Sequence, residues 1–243
     1  NIMKRICLWS GPRNISTALM YSFAQRRDTQ VIDEPLYGHY LRVTGVMHPG
    51  REEVMKNTNC DGNAVMKMLI DKECNSNKVL FMKQMSHHFQ QLNEDFLSKT
   101  ENIFLIRNPK DVLSSLTIQL PNADVRDTGL DIQWRLYQSL ISSGASPIII
   151  DSRELLINPE SILILLCKHL SIKFSKKMLK WKAGPLKEDG IWSKYWYQTV
   201  HKSTGFIPYS AKPDLPENLL PLYYKCLPYY ENLLKNALIT KRS

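Results

Sequence analysis

Short apolar runs alternate with longer stretches of helical periodicity up to residue 151, and this alternation limits the fold more than any other feature. The apolar runs are Arg5–Trp9, Gln30–Asp33, Lys78–Lys83, Asn102–Ile106 and Pro147–Asp151; Thr17–Arg26, Pro109–Gln119 and Leu130–Ser143 are among the amphipathic stretches between them. Crossovers of that length join parallel strands, and repeated βα units place helices on both sides of one sheet. The expected fold is therefore α/β and three-layered, with a mostly parallel central sheet flanked by helices. Beyond Asp151 the strand signal stops. A helix is expected from Asn158-Pro159-Glu160 to about Leu170, with the proline in the first turn where its missing N–H is harmless. A short helix is expected over Ser175–Trp181, then a long ordered loop, Gly184–Pro216, rich in Gly, Pro, Trp and Tyr, and a last helix, Glu217–Ile239, packing across the sheet. No composition shift marks a linker, so residues 1–243 read as a single domain: a βα core over 4–151, completed by helices and loops over 152–243.

The chain is basic, with 32 Lys and Arg against 23 Asp and Glu, a formal charge of +9, which favours anionic partners. The basic residues are scattered and form no recognition motif, so nucleic acid is not expected among those partners. No apolar stretch reaches the length of a membrane span, and no signal-peptide pattern opens the sequence. Asn1 and Ile2 precede Met3, which is the expected start. Five cysteines (Cys7, Cys60, Cys74, Cys167 and Cys226) form no CxxC pair; reduced thiols in a cytoplasmic enzyme are expected rather than a disulfide framework or a metal site.

Two segments carry chemistry. KRICLWSGPRNISTALMYSF reads as strand, tight turn and helix start, a geometry whose free backbone N–H groups and helix dipole seat phosphate. Gly11, Pro12, Arg13, Asn14, Ser16 and Thr17 form the turn, with Ser16 and Thr17 available to cap the helix or bind phosphate oxygens and Arg13 adding a forked cation. It is not a Walker A motif, because Ile15 stands where the lysine is required. ENIFLIRNPKDVLSSLTIQL repeats the pattern, with Arg107 at the strand end and Ser115 in the helix, both able to reach one anion above the carboxyl edge of the sheet.

A strand ending in Arg, then Asn-Pro-Lys-Asp-Val, then Ser eight residues after the Arg resembles the 3′-phosphate-binding signature of the sulfotransferases. SGPRNIST is similar to their N-terminal phosphosulfate loop at Pro12, Arg13, Ser16 and Thr17, while Asn14 replaces a small hydroxyl residue and Ile15 a glycine. Because isoleucine does not readily take a positive φ, that loop is expected to be shaped differently. The resemblance implies a P-loop NTPase-like fold and a sulfonate moved from 3′-phosphoadenosine 5′-phosphosulfate to a hydroxyl or amine of a small-molecule acceptor, without a metal. It also implies a C-terminal basic loop over the nucleotide, with Lys202 and Gly205 in His201–Gly205 as its counterpart. Trp192 and Trp196 either stack on adenine or roof the acceptor pocket, or else pack together as one helix face.

For the general base the sequence offers His88 and His87, which follow the third strand, and Glu34, which follows the second; histidine's ordinary pKa favours the pair, with His88 first. Lys83 is placed near the transferred sulfonate and Arg13 at the phosphosulfate. Two alternatives stay open. One is a P-loop NTPase or small-molecule kinase, with Pro147–Asp151 as a Walker B-like strand end, although Asp151-Ser152 also reads as a helix cap. The other is a non-catalytic nucleotide-binding protein on the same scaffold.

Overall fold

The computed structural model describes residues 3–73 and 78–240; Asn1, Ile2 and Cys74 lie outside the described residues. All five expected strands form within two residues of their expected ends: β1 Lys4–Ser10, β2 Thr29–Asp33, β3 Val79–Met85, β4 Glu101–Ile106 and β5 Ile148–Asp151. Every pairing is parallel and the order is β2-β3-β1-β4-β5. Alternate residues feed opposite cores. Ile6 and Leu8 join Phe81, Ile103 and Leu105 on one face, whereas Cys7 and Trp9 join Leu80, Met82 and Phe104 on the other. Burial on both faces is why these strands read as unbroken apolar runs.

Around the sheet, α1 Ser16–Ala24 follows β1, and α2 Tyr37–Thr44, α3 Arg51–Asn57 and α4 Gly62–Asp71 lie between β2 and β3. Between β4 and β5 come α5 Pro109–Gln119, α6 Val125–Thr128 and α7 Leu130–Ser142. The remainder holds α8 Ser152–Ile157, α9 Pro159–His169, α10 Ser193–Trp196, α11 Gln198–His201 and α12 Leu220–Leu234. Sequence periodicity passes over α2–α4, because a glycine or proline interrupts the pattern before each can repeat; Gly45 ends α2 in the left-handed region at φ 67°. The expected helix over Ser175–Trp181 is only a 3₁₀ turn, Lys176–Leu179. The last helix is shorter than expected. It buries Cys226, Tyr230 and Leu233 with Leu136 and Leu140 of α7, and its trailing residues reach the sheet where Leu238 N–H donates to the Ile149 carbonyl at 2.9 Å.

In this strand order β1 is flanked by β3 and β4, whose connections leave in opposite directions, and the carboxyl ends of the three strands form one crevice. That is where an open α/β sheet binds ligands. Among the described residues, no helix is long and apolar enough to cross a membrane.

Candidate active site

The turn after β1 is made by close approach. A Cβ on Gly11 would stand 2.3 Å from the Thr128 carbonyl oxygen, so the β1–α1 and α6–α7 turns meet only because residue 11 has no side chain. The left-handed residue of the turn is Arg13, at φ 54°; Ile15 has φ −93°, ordinary for a β-branched side chain. The positive φ thus falls on Arg13 and not on Ile15, where the resemblance places a glycine. Asn14 holds the turn instead: its Oδ1 accepts from Ile15 N–H at 2.8 Å and its Nδ2 donates to the Leu105 carbonyl at 3.2 Å, fastening it to β4. Ser16 and Thr17 do not cap α1; Ile15 holds the cap position and no side chain bonds the first turn, which faces the crevice.

The second segment folds as read. Asn108 caps α5, its Oδ1 accepting from Lys110 N–H at 2.9 Å, and Pro109 takes the first helical position. Arg107 Nη1 donates to the Arg13 carbonyl at 2.9 Å, and Arg13 Nε donates to Ser115 Oγ at 3.3 Å. Two motifs about a hundred residues apart thus bring two guanidinium groups and a hydroxyl to one corner.

At the end of β2, Glu34 takes the left-handed backbone at φ 37°, and a non-glycine residue held there is a recurrent mark of functional strain. Its Oε1 lies 2.8 Å from Lys83 Nζ; Lys83 also donates to Asp33 Oδ1 at 3.2 Å and to the Tyr197 hydroxyl at 2.6 Å. An ammonium has three hydrogens, and all three are committed. Lys83 is 1% exposed, and its three hydrogens orient Asp33, Glu34 and Tyr197. Tyr197 donates to Asp33 at 2.8 Å and accepts from Trp192 Nε1 at 3.2 Å. Burial, and the Asp33 charge second, push Glu34 above the usual carboxylate range against the pull of Lys83. Burial pulls Lys83 down, but Asp33 and Glu34 outweigh it and keep the ammonium charged.

His87 and His88 form a 3₁₀ turn directly after β3. His88 is stacked between Tyr37 and Tyr40, at centroid distances of 5.1 and 4.6 Å, and His87 meets Tyr40 edge-on at 5.0 Å. Both Nδ1 atoms are buried without a partner. Burial, and after it the neighbouring imidazoles, lower His87 to about 3 and His88 well below the histidine range. All these groups line one cleft of about 1060 Å³: Gly11–Ala18, Glu34, Lys83, His87 and His88, Arg107, Ser115 and Gly205 among them.

Residues 3–237 match the family described as sulfotransferase domain. The chain belongs to that family. Two curated relatives from Arabidopsis thaliana, branched-chain-amino-acid aminotransferase-like proteins 2 and 1, are 41% and 42% identical over 96% and 88% of this chain. The matches take in 42% and 40% of those proteins, so the chain spans about two fifths of the length of the curated relatives it matches. Two solved structures share the fold. A sulfotransferase from Alicyclobacillus acidocaldarius is 12% identical, with TM-score 0.58 and 98% of each chain covered. The sulfotransferase domain of the Synechococcus PCC 7002 olefin synthase is 13% identical, with TM-score 0.55 and 93% and 95% covered.

Within this sulfotransferase domain some expected residues stand apart. Lys202 is exposed and lines a second groove with Lys180, Trp181 and Gln198, outside the main cleft; Gly205 lines both. Besides Arg13, Arg107 and Lys83, the cleft is lined by Lys110, which pairs with Asp214 at 2.6 Å, and by Lys212. Trp196 lines the cleft beside His48, whereas Trp192 is buried edge-on against Tyr37. Asp151 occupies the cap position of α8 without bonding its N–H groups; its Oδ1 accepts from Tyr230 at 3.2 Å, and it does not line the cleft. Among the described residues, no group of three or more His, Cys, Asp or Glu is placed to hold a metal.

Sequence reasoning missed Tyr197, Asp33, Tyr37, Tyr40 and His48. Tyr37 and Tyr40 had a signal, since they lie one helical turn apart in the same short segment as Glu34. Tyr197 had none, because it reaches Lys83 across 114 residues.

The buried histidine pair makes the domain acid-labile. An unfolded histidine takes its proton near 6.5, whereas folded His87 resists protonation down to about 3. Their folded pKa values are depressed, so the stability is complete above about 6.5 and is lost as pH falls below it. From slopes of up to about 1.4 kcal/mol per pH unit for each histidine, we expect the pair to lower the urea unfolding free energy by up to about 4 kcal/mol between pH 7 and pH 5, about 2 kcal/mol from each. The His88→Asn variant should flatten that slope.

Proposed function

We propose that the domain transfers a sulfonate from 3′-phosphoadenosine 5′-phosphosulfate to a hydroxyl or amine of a small acceptor. The observation that carries this reading is the joint corner of Arg13, Arg107 and Ser115, opening into the same cleft as a strained, buried carboxylate. On this reading Arg107 and Ser115 hold the 3′-phosphate, while the first turn of α1 and Arg13 hold the 5′-phosphosulfate. Both ends then rest on fixed donors, and an anion at a helix N-terminus is favoured by the dipole as well.

We assign the general base to Glu34. Imidazoles depressed as far as His87 and His88 are weak proton acceptors, whereas Glu34 is raised toward the working range. Its Oε1 is taken by Lys83, and its Oε2 has no protein partner among the described residues. In the transfer, the acceptor O–H proton passes to Glu34 as the acceptor oxygen bonds to sulfur. The bond from sulfur to the bridging oxygen breaks, and its electron pair leaves on adenosine 3′,5′-bisphosphate. Charge stabilisation and in-line positioning dominate such a transfer, by analogy with phosphoryl chemistry.

Arg107→Ala should weaken adenosine 3′,5′-bisphosphate by about 10- to 100-fold, the range for one charged hydrogen-bond partner. Adenosine 5′-phosphate, which lacks the 3′ group, should be weakened far less; calorimetric titration compares the two. A kinase or NTPase reading has less support, since Asp151 is bonded to Tyr230 outside the cleft and no lysine occupies the P-loop position.

The direct test is incubation with 3′-phosphoadenosine 5′-phosphosulfate and a panel of alcohols, phenols and amines, followed by mass spectrometry. A sulfonated product supports the proposal. Bound nucleotide with no product from any acceptor supports the non-catalytic alternative instead.

A further inference from the structure

The acceptor end of the cleft has a wall with a carboxylate at each end. Tyr37, His88 and Tyr40 form a continuous stack, with Tyr37 and His88 only 3° from parallel and His88 and Tyr40 at 27°. Glu34 lies at the Tyr37 end: Tyr37 is raised by burial first and by the Glu34 charge second. Asp127 lies at the Tyr40 end: burial, and then the Asp127 charge, push Tyr40 up to about 12. The α6–α7 turn that carries Asp127 is packed on the histidine turn, where a Cβ on Gly129 would stand 3.0 Å from Ser86 Cβ and 3.5 Å from His87 N.

The two carboxylates differ in one respect. Glu34 is matched by Lys83. Asp127 lines the cleft and has no cationic partner among the described residues: its Oδ2 accepts only from Asp124 N–H at 2.8 Å, and the nearby Arg126 is taken by Asp131 at 2.7 Å. Beside it Tyr37, Tyr40 and His88 line the cleft, 3%, 6% and 1% exposed, and the histidines are neutral at pH 7. His88, 1% exposed and lining the cleft, has an Nδ1 with no protein partner, so the wall holds a polar atom that the fold itself does not satisfy. An unpaired carboxylate next to aromatic faces is the chemistry that recognises an organic ammonium group. The donor end carries Arg13, Arg107 and Lys212, with Asp111 beside Arg107 and with Lys110 already paired to Asp214 at 2.6 Å.

We propose that the acceptor carries a cationic nitrogen, bound by Asp127 against the Tyr40 face, while its reacting hydroxyl lies at Glu34, so that the substrate class is an extended amino alcohol or aminophenol. Tyr37, His88 and Tyr40 separate the two carboxylates, which requires the acceptor to span the width of that stack. The inference rests on the sulfotransferase reading of the cleft and adds the acceptor's charge to it.

Calorimetric titration into the protein saturated with adenosine 3′,5′-bisphosphate tests it with two matched pairs: tyramine against 4-propylphenol, and 6-aminohexan-1-ol against heptan-1-ol. Within each pair an ammonium replaces a methyl group. The amine is expected to bind about tenfold tighter or more in at least one pair, as a partly desolvated cation–π contact plus a carboxylate would give. In Asp127→Asn, whose amide oxygen still accepts from Asp124 N–H, that ratio should fall close to one. Equal or weaker binding of the amine in both pairs, no binding of any of the four, or a ratio unchanged in Asp127→Asn overturns the inference. Failure of adenosine 3′,5′-bisphosphate itself to bind would instead reject the functional reading on which it rests.

Discussion

Lys83→Met should lower the unfolding free energy by about 3–5 kcal/mol at pH 7, because it leaves buried carboxylates without their cation. Asp33 is 6% exposed and Glu34 9%, and the ammonium between them spends every hydrogen on this cluster. Methionine fills similar volume, so the loss reports the charge rather than a cavity. Two consequences separate this account from simple misfolding. Lowering the pH should shrink the deficit, since the abandoned carboxylates take up protons more readily than in the parent. Adding Asp33→Asn should recover part of it, as expected for residues in one network. A deficit independent of pH, measured by urea unfolding from pH 8 to pH 6, would contradict the electrostatic origin.

Glu34→Gln should reduce kcat by about 10²- to 10⁴-fold, the usual contribution of a positioned general base. Nucleotide affinity should stay within about threefold, because Glu34 is assigned to the acceptor proton and not to the phosphates. The pH dependence has a definite sign. Only the ionised carboxylate accepts a proton, and burial raises its pKa, so kcat/KM in the parent enzyme should climb with pH along a limb above the ordinary carboxylate value near 4.5. That limb should vanish in Glu34→Gln. Loss of activity in His88→Asn with the limb intact would fit a residue of the acceptor wall; loss of the limb there would return the base to the histidine pair.

Much of this was legible in the sequence where one segment carries its own explanation. The strands were visible because burial on both faces makes them unbroken apolar runs. Arg107 and Ser115 were visible because strand end, Asn-Pro cap and helix lie in one continuous stretch. Local signals failed where distant segments set the chemistry. Lys83 read as a free cation at a strand end, and only Asp33, Glu34 and Tyr197, from the neighbouring strand and a loop over a hundred residues away, commit all its donors. Ile15 in place of glycine read as a differently shaped turn, but which residue takes the left-handed backbone, Arg13, came only from the structure. The histidines read as bases from their ordinary pKa, and burial in the stack of Tyr37 and Tyr40 lowers it for His88, which the sequence alone does not show.

On the proposed function, the cleft binds a nucleotide through its 3′-phosphate. Calorimetric titration of the unmodified protein with adenosine 3′,5′-bisphosphate, adenosine 5′-phosphate and ATP with Mg²⁺ tests it most directly. Adenosine 3′,5′-bisphosphate should bind about 100-fold or more tighter than adenosine 5′-phosphate, a difference of about 2.7 kcal/mol, in keeping with two charge-assisted contacts to the extra phosphate. Equal affinity for the two adenosine phosphates, or binding of ATP with Mg²⁺ alone, would contradict it.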